Sequence, residues 1–200
     1  MRSSNKSGSS ATIVNLLPGQ YHVTGERKII TTLLGSCIAV CLYDPVNEVM
    51  GMNHFLLSNE RYMRKGPMCV SDAGRYGVHA MEIIINQMLE KGAKRKYFKA
   101  KAFGGASVLN VRNETSNFPV VSEVNVRFIR EFLEMERIPL VASDLGGEQG
   151  RKIRFDGSDY SVYVQKIKSI DKSVIDAEKR HWRRTIEKHK QEETHIELWS

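Results

Sequence analysis

The chain has 200 residues, 41% hydrophobic and 26% charged, the make-up of a globular protein with room for one domain and an extension. Lys and Arg outnumber Asp and Glu by 30 to 23, a net charge of +7 that favours acidic partners without implying nucleic acid. Three cysteines are too few for a disulfide scaffold or a paired zinc site, and the uncharged, mostly apolar stretch Ile29 to Tyr43 is too short for a membrane helix of about 20 residues.

Residues 1 to 12 read as a polar arm without the apolar block of a secretory signal, so the expected compartment is the cytoplasm. Ile13 to Val23, with Pro18 and Gly19, reads as a lead-in with little regular structure. Three strands follow: Ile29 to Leu34, Ile38 to Tyr43 and Val49 to Leu57. Asp44-Pro45-Val46-Asn47 has the residues of a type I turn, which makes the second and third strands a hairpin. After a loop from Ser58 to Ser71, a helix capped by Asp72 runs to about Lys91 and ends at Gly92, with Gly77, Ala80, Met81, Ile84, Ile85, Met88 and Leu89 on one face.

Tyr97 to Phe103 alternates like a half-exposed strand and stops at Gly104-Gly105. A second amphipathic helix spans Ser122 to about Arg137. Ile138 to Ala142 and Ser161 to Ile167 read as strands, with turns at Asp144-Leu145-Gly146-Gly147 and Asp156-Gly157-Ser158-Asp159. From about Lys168 the chain becomes a charged, helix-prone tail. The expected division is therefore an arm over 1–12, a domain over 13–168 and a helical tail over 169–200.

One pair of residues carries chemistry. A hairpin turning on residues 44 to 47 pairs positions whose numbers add to 91, and Cys37 and His54 are such a pair. Residues directly opposite on antiparallel strands have Cβ atoms about 5 Å apart, close enough for an imidazole to draw the proton from a thiol and leave the nucleophilic thiolate. Gly35-Ser36 lets the backbone bend before Cys37, where N–H groups can stabilise an oxyanion; Ser36 and Asn53 are the candidates for oxyanion or substrate binding. The third group that orients the histidine is a hydroxyl from the Thr31-Thr32 pair, and spacing does not choose between the two.

The remaining motifs read as structural. Cys41 belongs to the core, Cys69 is inert, and His79 and the tail histidines His181, His189 and His195 lie at the surface. Gly104-Gly105 and Gly146-Gly147 lack the spacing and the Lys of a phosphate loop. The basic run from Lys91 to Lys101 is a solvated face. No metal and no cofactor is called for.

The stretch Leu34-Gly35-Ser36-Cys37-Ile38-Ala39-Val40-Cys41-Leu42-Tyr43-Asp44, with Gly51-Met52-Asn53-His54-Phe55-Leu56-Leu57, resembles the CheD chemoreceptor glutamine deamidases. The likeness continues through Tyr76-Gly77, Ala80-Met81, Ala100-Lys101-Ala102-Phe103-Gly104-Gly105-Ala106, Asp144-Leu145-Gly146-Gly147 and Gly150-Arg151, covering about residues 13 to 168. It implies a layered α/β sandwich with mostly antiparallel or mixed sheets and two main helices, similar to the cytotoxic necrotizing factor deamidases. The implied activity is hydrolysis of selected glutamine side chains in the cytoplasmic domains of chemotaxis receptors to glutamate, with receptor methyl esters as further substrates of some members. The family's cysteine falls on Cys37, its histidine on His54 and its threonine on Thr31. The implied partners are those receptors and a CheC-type phosphatase of CheY, with no nucleic acid and no membrane insertion. The alternative is a CheD-like binding module that regulates CheC or receptors stoichiometrically.

Overall fold

The computed structural model describes residues 12–57, 72–107 and 118–167, together with Asp176, Arg180 and Arg184. The strands are β1 (Ile13–Leu16), β2 (Tyr21–Thr24), β3 (Ile29–Leu34), β4 (Ile38–Asp44), β5 (Val49–Phe55), β6 (Lys99–Gly104), β7 (Leu140–Leu145), β8 (Gly150–Asp156) and β9 (Val162–Ile167); the helices are α1 (Asp72–Glu90) and α2 (Phe118–Met135). They form two mixed sheets, one ordered β1-β3-β8-β9 and the other β2-β5-β4-β6-β7. β1 runs parallel to β3 and β6 parallel to β7, and the other pairs are antiparallel. The architecture is the layered α/β sandwich with two main helices expected from the sequence.

Strand alternation sorts the core into two layers. On β4, Ile38, Val40 and Leu42 face the helices with Met81, Ile84, Ile85, Met88, Phe128 and Phe132, while Ala39, Cys41 and Tyr43 face the other sheet with Ile30, Leu34, Met52, Ile153 and Phe155. Each fully buried large apolar side chain contributes about 1.5–3 kcal/mol, so β4, buried on both faces, is the spine of the molecule. The helices cross where Gly77 leaves room for a ring: a Cβ there would lie 2.5 Å from Phe128 Cζ.

The first helix ends as the sequence leads one to expect. Gly92 takes the left-handed conformation with φ of 93°, and the Ala93 N–H donates to Met88 O at 3.0 Å. α2 begins at Phe118, four residues before the expected Ser122, with Pro119 in a first turn that needs no donor there.

Three expectations are corrected. The lead-in 13–23 contains β1 and β2, each only 4 residues long and paired with distant strands, so no local alternation announces them. β8 was not expected at all; Arg151 stands inward beside Ile153 and Phe155 and breaks the apolar pattern. The hairpin turn holds four residues, Pro45 to Glu48, because Asp44 Oδ1 accepts from the N–H groups of both Val46 and Asn47 (2.9 and 3.0 Å) and Glu48 turns left-handed at φ 54°. The loop 58–71, Cys69 included, the side chain of Asp72 and most of the tail lie outside the described residues; within the tail Asp176, Arg180 and Arg184 are helical.

Candidate active site

The longer turn shifts the hairpin register by two. Asp44 pairs with Val49 and Ala39 with His54, so pairs add to 93 rather than 91, and Cys37 is not directly opposite His54. A shift of two preserves the face on which each side chain lies. Cys37, one residue before β4, therefore stays on the side of Ala39 that His54 shares, as a diagonal neighbour at about 7 to 8 Å between backbones. Both residues are buried in the layer between the sheets.

His54 is held on every side. Its N–H donates to Gln20 O at 2.9 Å and its carbonyl accepts from Gly19 N at 2.7 Å, which fixes the backbone to the β1–β2 connection. Its Nδ1 lies 2.8 Å from Thr32 Oγ1, across the gap between the sheets. Thr32 Oγ1 in turn donates to Leu16 O at 2.8 Å. A hydroxyl has one hydrogen, and with that hydrogen given to Leu16 the oxygen faces His54 as an acceptor. Nδ1 therefore carries the imidazole proton, and Nε2 is the nitrogen with a lone pair to exchange protons.

The threonine beside His54 is thus Thr32, while Thr31 Oγ1 donates to Ile153 O at 2.8 Å on the outer face of its sheet. The reason is parity: Ile30, Thr32 and Leu34 point inward and Thr31 does not. Asn53 is likewise displaced from the expected substrate-binding role. It lies on the helix-facing side of β5, where its Oδ1 accepts from Val40 N at 3.1 Å and its Nδ2 donates to Ala80 O at 3.0 Å. Its amide ties β4 to α1.

The bend before β4 is fixed through its carbonyls. Gly35 O accepts from Ala106 N at 2.8 Å, Ser36 O from Asn125 Nδ2 at 3.0 Å, and Cys37 O from Gly105 N at 2.8 Å. Across a trans peptide the next N–H points the opposite way, so the Ser36 and Cys37 N–H groups are aimed away from these anchors. Gly104 seats the Cys37 carbonyl: its φ is 115°, and a Cβ there would lie 2.1 Å from Cys37 O. Beside the bend opens a groove of about 460 Å³ lined by Gly105, Ser107, Ser122, Val126, Arg130 and Gly147, among others.

Sequence reasoning missed Leu16, Asn125 and Arg151. Leu16 acts through its carbonyl, which no side-chain pattern marks. Asn125, a buried polar residue on the apolar face of α2, was a visible signal: its Oδ1 also accepts from Leu57 N at 2.8 Å, so one side chain joins the bend to the end of β5. Cys41 is core as expected, and burial pushes its thiol well above the ordinary range against the opposing pull of Lys101. Among the described residues no cluster of three His, Cys, Asp or Glu side chains is arranged to hold a metal.

A family model described as CheD chemotactic sensory transduction matches residues 58–166. "Probable chemoreceptor glutamine deamidase CheD 1" of Geobacter sulfurreducens is 50% identical over 189 residues, 94% of each chain. "Probable chemoreceptor glutamine deamidase CheD 2" of Shewanella oneidensis is 44% identical over 201 residues, 98% of each chain. Among solved structures, the hypothetical protein YfiH of Bacillus licheniformis aligns with a TM-score of 0.38 at 14% identity, over 62% of this chain and 49% of its own.

Proposed function

The chain belongs to the CheD family, and from that premise we propose that it is a chemoreceptor glutamine deamidase in which Cys37 is the nucleophile, His54 the proton carrier and Thr32 the group that orients His54. The observation that carries the reading is the relay from His54 Nδ1 through Thr32 Oγ1 to Leu16 O, both links 2.8 Å long, beside a cysteine on the same face. It leaves Nε2 as the base, the form that nucleophilic catalysis by a thiol requires.

On this reading catalysis is a two-step acyl transfer. His54 Nε2 takes the Cys37 proton, and the thiolate attacks the glutamine side-chain carbonyl, whose oxygen becomes an oxyanion facing the Ser36 and Cys37 N–H groups. The imidazolium returns its proton to the amide nitrogen as the C–N bond breaks, so ammonia leaves and a thioester remains on Cys37. Water gives its proton to Nε2 and attacks the thioester, and the thiolate departs to leave glutamate. The groove beside Gly105, Ser122 and Val126 is where the substrate approaches the bend.

The test is incubation of the protein with receptor cytoplasmic domains from the same organism, read by peptide mass spectrometry for the gain of about 1 Da that accompanies replacement of nitrogen and hydrogen by oxygen in Gln-to-Glu conversion. A gain at defined glutamines that disappears in Cys37→Ala is the expected result. Receptors fully covered and unchanged, with folded protein, sink the deamidase reading and leave the binding module.

A further inference from the structure

Among the described residues Arg151 is the largest fully buried side chain, with 1% of its surface exposed, and nothing in the chemistry above uses it. It sits on β8 opposite Leu34 of β3, three residues before Cys37, and reaches across the gap between the sheets. There Nη1 donates to Gly104 O at 2.5 Å, and Nη2 donates to Gly146 O at 2.6 Å and to Asp144 Oδ1 at 3.2 Å.

The first of these contacts reaches Cys37 through a single peptide unit. Gly104 C=O and Gly105 N–H are the two ends of one amide. Arg151 holds the oxygen, and the N–H donates to Cys37 O at 2.8 Å. A cation on the oxygen end of an amide strengthens the positive end of its dipole, so the guanidinium both fixes and polarises the group on which the nucleophile's own carbonyl rests.

The charge is incompletely compensated. Asp144 is the one carboxylate on Arg151 among the described residues, and it is shared with Lys166, whose Nζ lies 2.6 Å from Oδ2. Two cations thus divide one anion. Arg151 Nε is buried with no hydrogen-bond partner, so the guanidinium is not fully satisfied by its surroundings. Burial pulls the Arg151 proton affinity down and Asp144 pushes it back, yet the group stays a cation, as guanidinium does throughout the working range. Besides Cys37, the titratable and charged groups facing this layer are Cys41 and Tyr43 from β4, His54 from β5, Lys101 from β6, Asp144 from β7, Arg151 from β8 and Tyr160 between β8 and β9, with Lys166 of β9 behind Asp144. Asp144 is the anion of this set.

We infer that Arg151 is a positioning residue for Cys37: it locks the Gly104–Gly105 peptide against the cysteine carbonyl and supplies the positive potential that favours the Cys37 thiolate. The inference rests on Cys37 being the nucleophile, and its test is read on the thiol itself, without substrate. Full-length protein is treated with iodoacetamide across pH 5 to 10, and modification of Cys37 is separated from that of Cys41 by fragment mass spectrometry.

Arg151→Met is expected to move the Cys37 profile up by about one pH unit, roughly tenfold less reaction at neutral pH. Asp144→Asn is expected to move it the other way, with about two- to threefold more reaction, because it removes the compensating anion and leaves the cation. The opposed signs separate electrostatics from damage to the fold, and Asp144→Asn alone decides the matter where Arg151→Met does not fold. An acidic Cys37 thiol whose profile is unmoved by Asp144→Asn, or moved upward by it, overturns the role of Arg151 and leaves the nucleophile standing. A wild-type Cys37 no more reactive at neutral pH than an ordinary thiol takes down both.

Discussion

Thr32 Oγ1 stands 2.8 Å from His54 Nδ1, joining two sheets that make no backbone hydrogen bonds to each other through this pair. The contact gives the imidazole one tautomer and one orientation, and the hydroxyl that does so is the inward one of two adjacent threonines. Thr32→Val keeps the shape and deletes the hydroxyl. Turnover is expected to fall by about 10- to 100-fold, the lower part of the range that a positioned base contributes, with the pH–rate profile shifted as His54 loses its fixed tautomer. Thr31→Val removes a bond to Ile153 O on the other face and should leave both the rate and the profile as they are. Equal losses in the two variants would sink the relay.

Asp44 sets the hairpin register on which the site depends. Its buried carboxylate accepts from Val46 N, Asn47 N, Asn47 Nδ2 and Lys94 N, at 2.9, 3.0, 2.7 and 2.8 Å. Burial by itself would raise its proton affinity, but the donors win and hold the carboxyl below its usual 3.8. The sign follows: the anionic form is favoured by folding, so its contribution is present above pH 3.8 and is lost as pH falls through the lower folded value. Asp44→Ala should cost about 2 to 4 kcal/mol at neutral pH in urea unfolding. Wild type and Asp44→Ala should converge in stability as the buffer is taken below pH 4; a constant gap would contradict the carboxylate's role.

How much of this was legible without coordinates depended on whether the signal was local. The paired helices and the strands β3, β4 and β5 follow from periodicity, and Cys37 with His54 follows from hairpin parity, which survives a slip of two residues. The slip itself was hidden because it comes from Asp44 binding two N–H groups and from a non-glycine residue, Glu48, adopting a left-handed conformation. Thr31 and Thr32 are indistinguishable by spacing, and only the inward burial of Ile30 and Leu34 decides between them. β8 was masked by Arg151, whose charge reads as surface until Gly104, Gly146 and Asp144 are seen gathered around it.

His22 should make the fold sensitive to mild acid. Its Nε2 is buried without a hydrogen-bond partner, and burial first, then the nearby Lys28 and Lys91, lower its proton affinity below the ordinary 6.5. The unfolded chain thus binds a proton more readily, and the stability this residue confers is present above pH 6.5 and declines as pH falls from there toward the lower folded value. In melting experiments from pH 7.5 to 5, His22→Gln should lose less Tm than wild type over the acid part of the range. Parallel curves would assign the acid sensitivity to other groups.

Asn125 offers a way to loosen the cysteine bend without touching a reacting group. Its Nδ2 donates to Ser36 O at 3.0 Å and its Oδ1 accepts from Leu57 N at 2.8 Å, both in the buried interior. Asn125→Asp retains the second bond and places an oxygen against the Ser36 carbonyl, turning an attraction into a repulsion in surroundings that screen it poorly. Because the Cys37 N–H is the other end of the amide whose carbonyl is released, the oxyanion donors lose their aim along with the anchor. The expected outcome is a loss of about 2 to 4 kcal/mol in stability and a fall in kcat of at least about tenfold with KM little changed, as for an interaction realised in the transition state. Asn125→Gln, which keeps both chemistries at a greater reach, should recover part of the rate. An Asp variant that melts earlier yet turns over at the wild-type rate would show that the Ser36 and Cys37 N–H groups are not where the oxyanion forms.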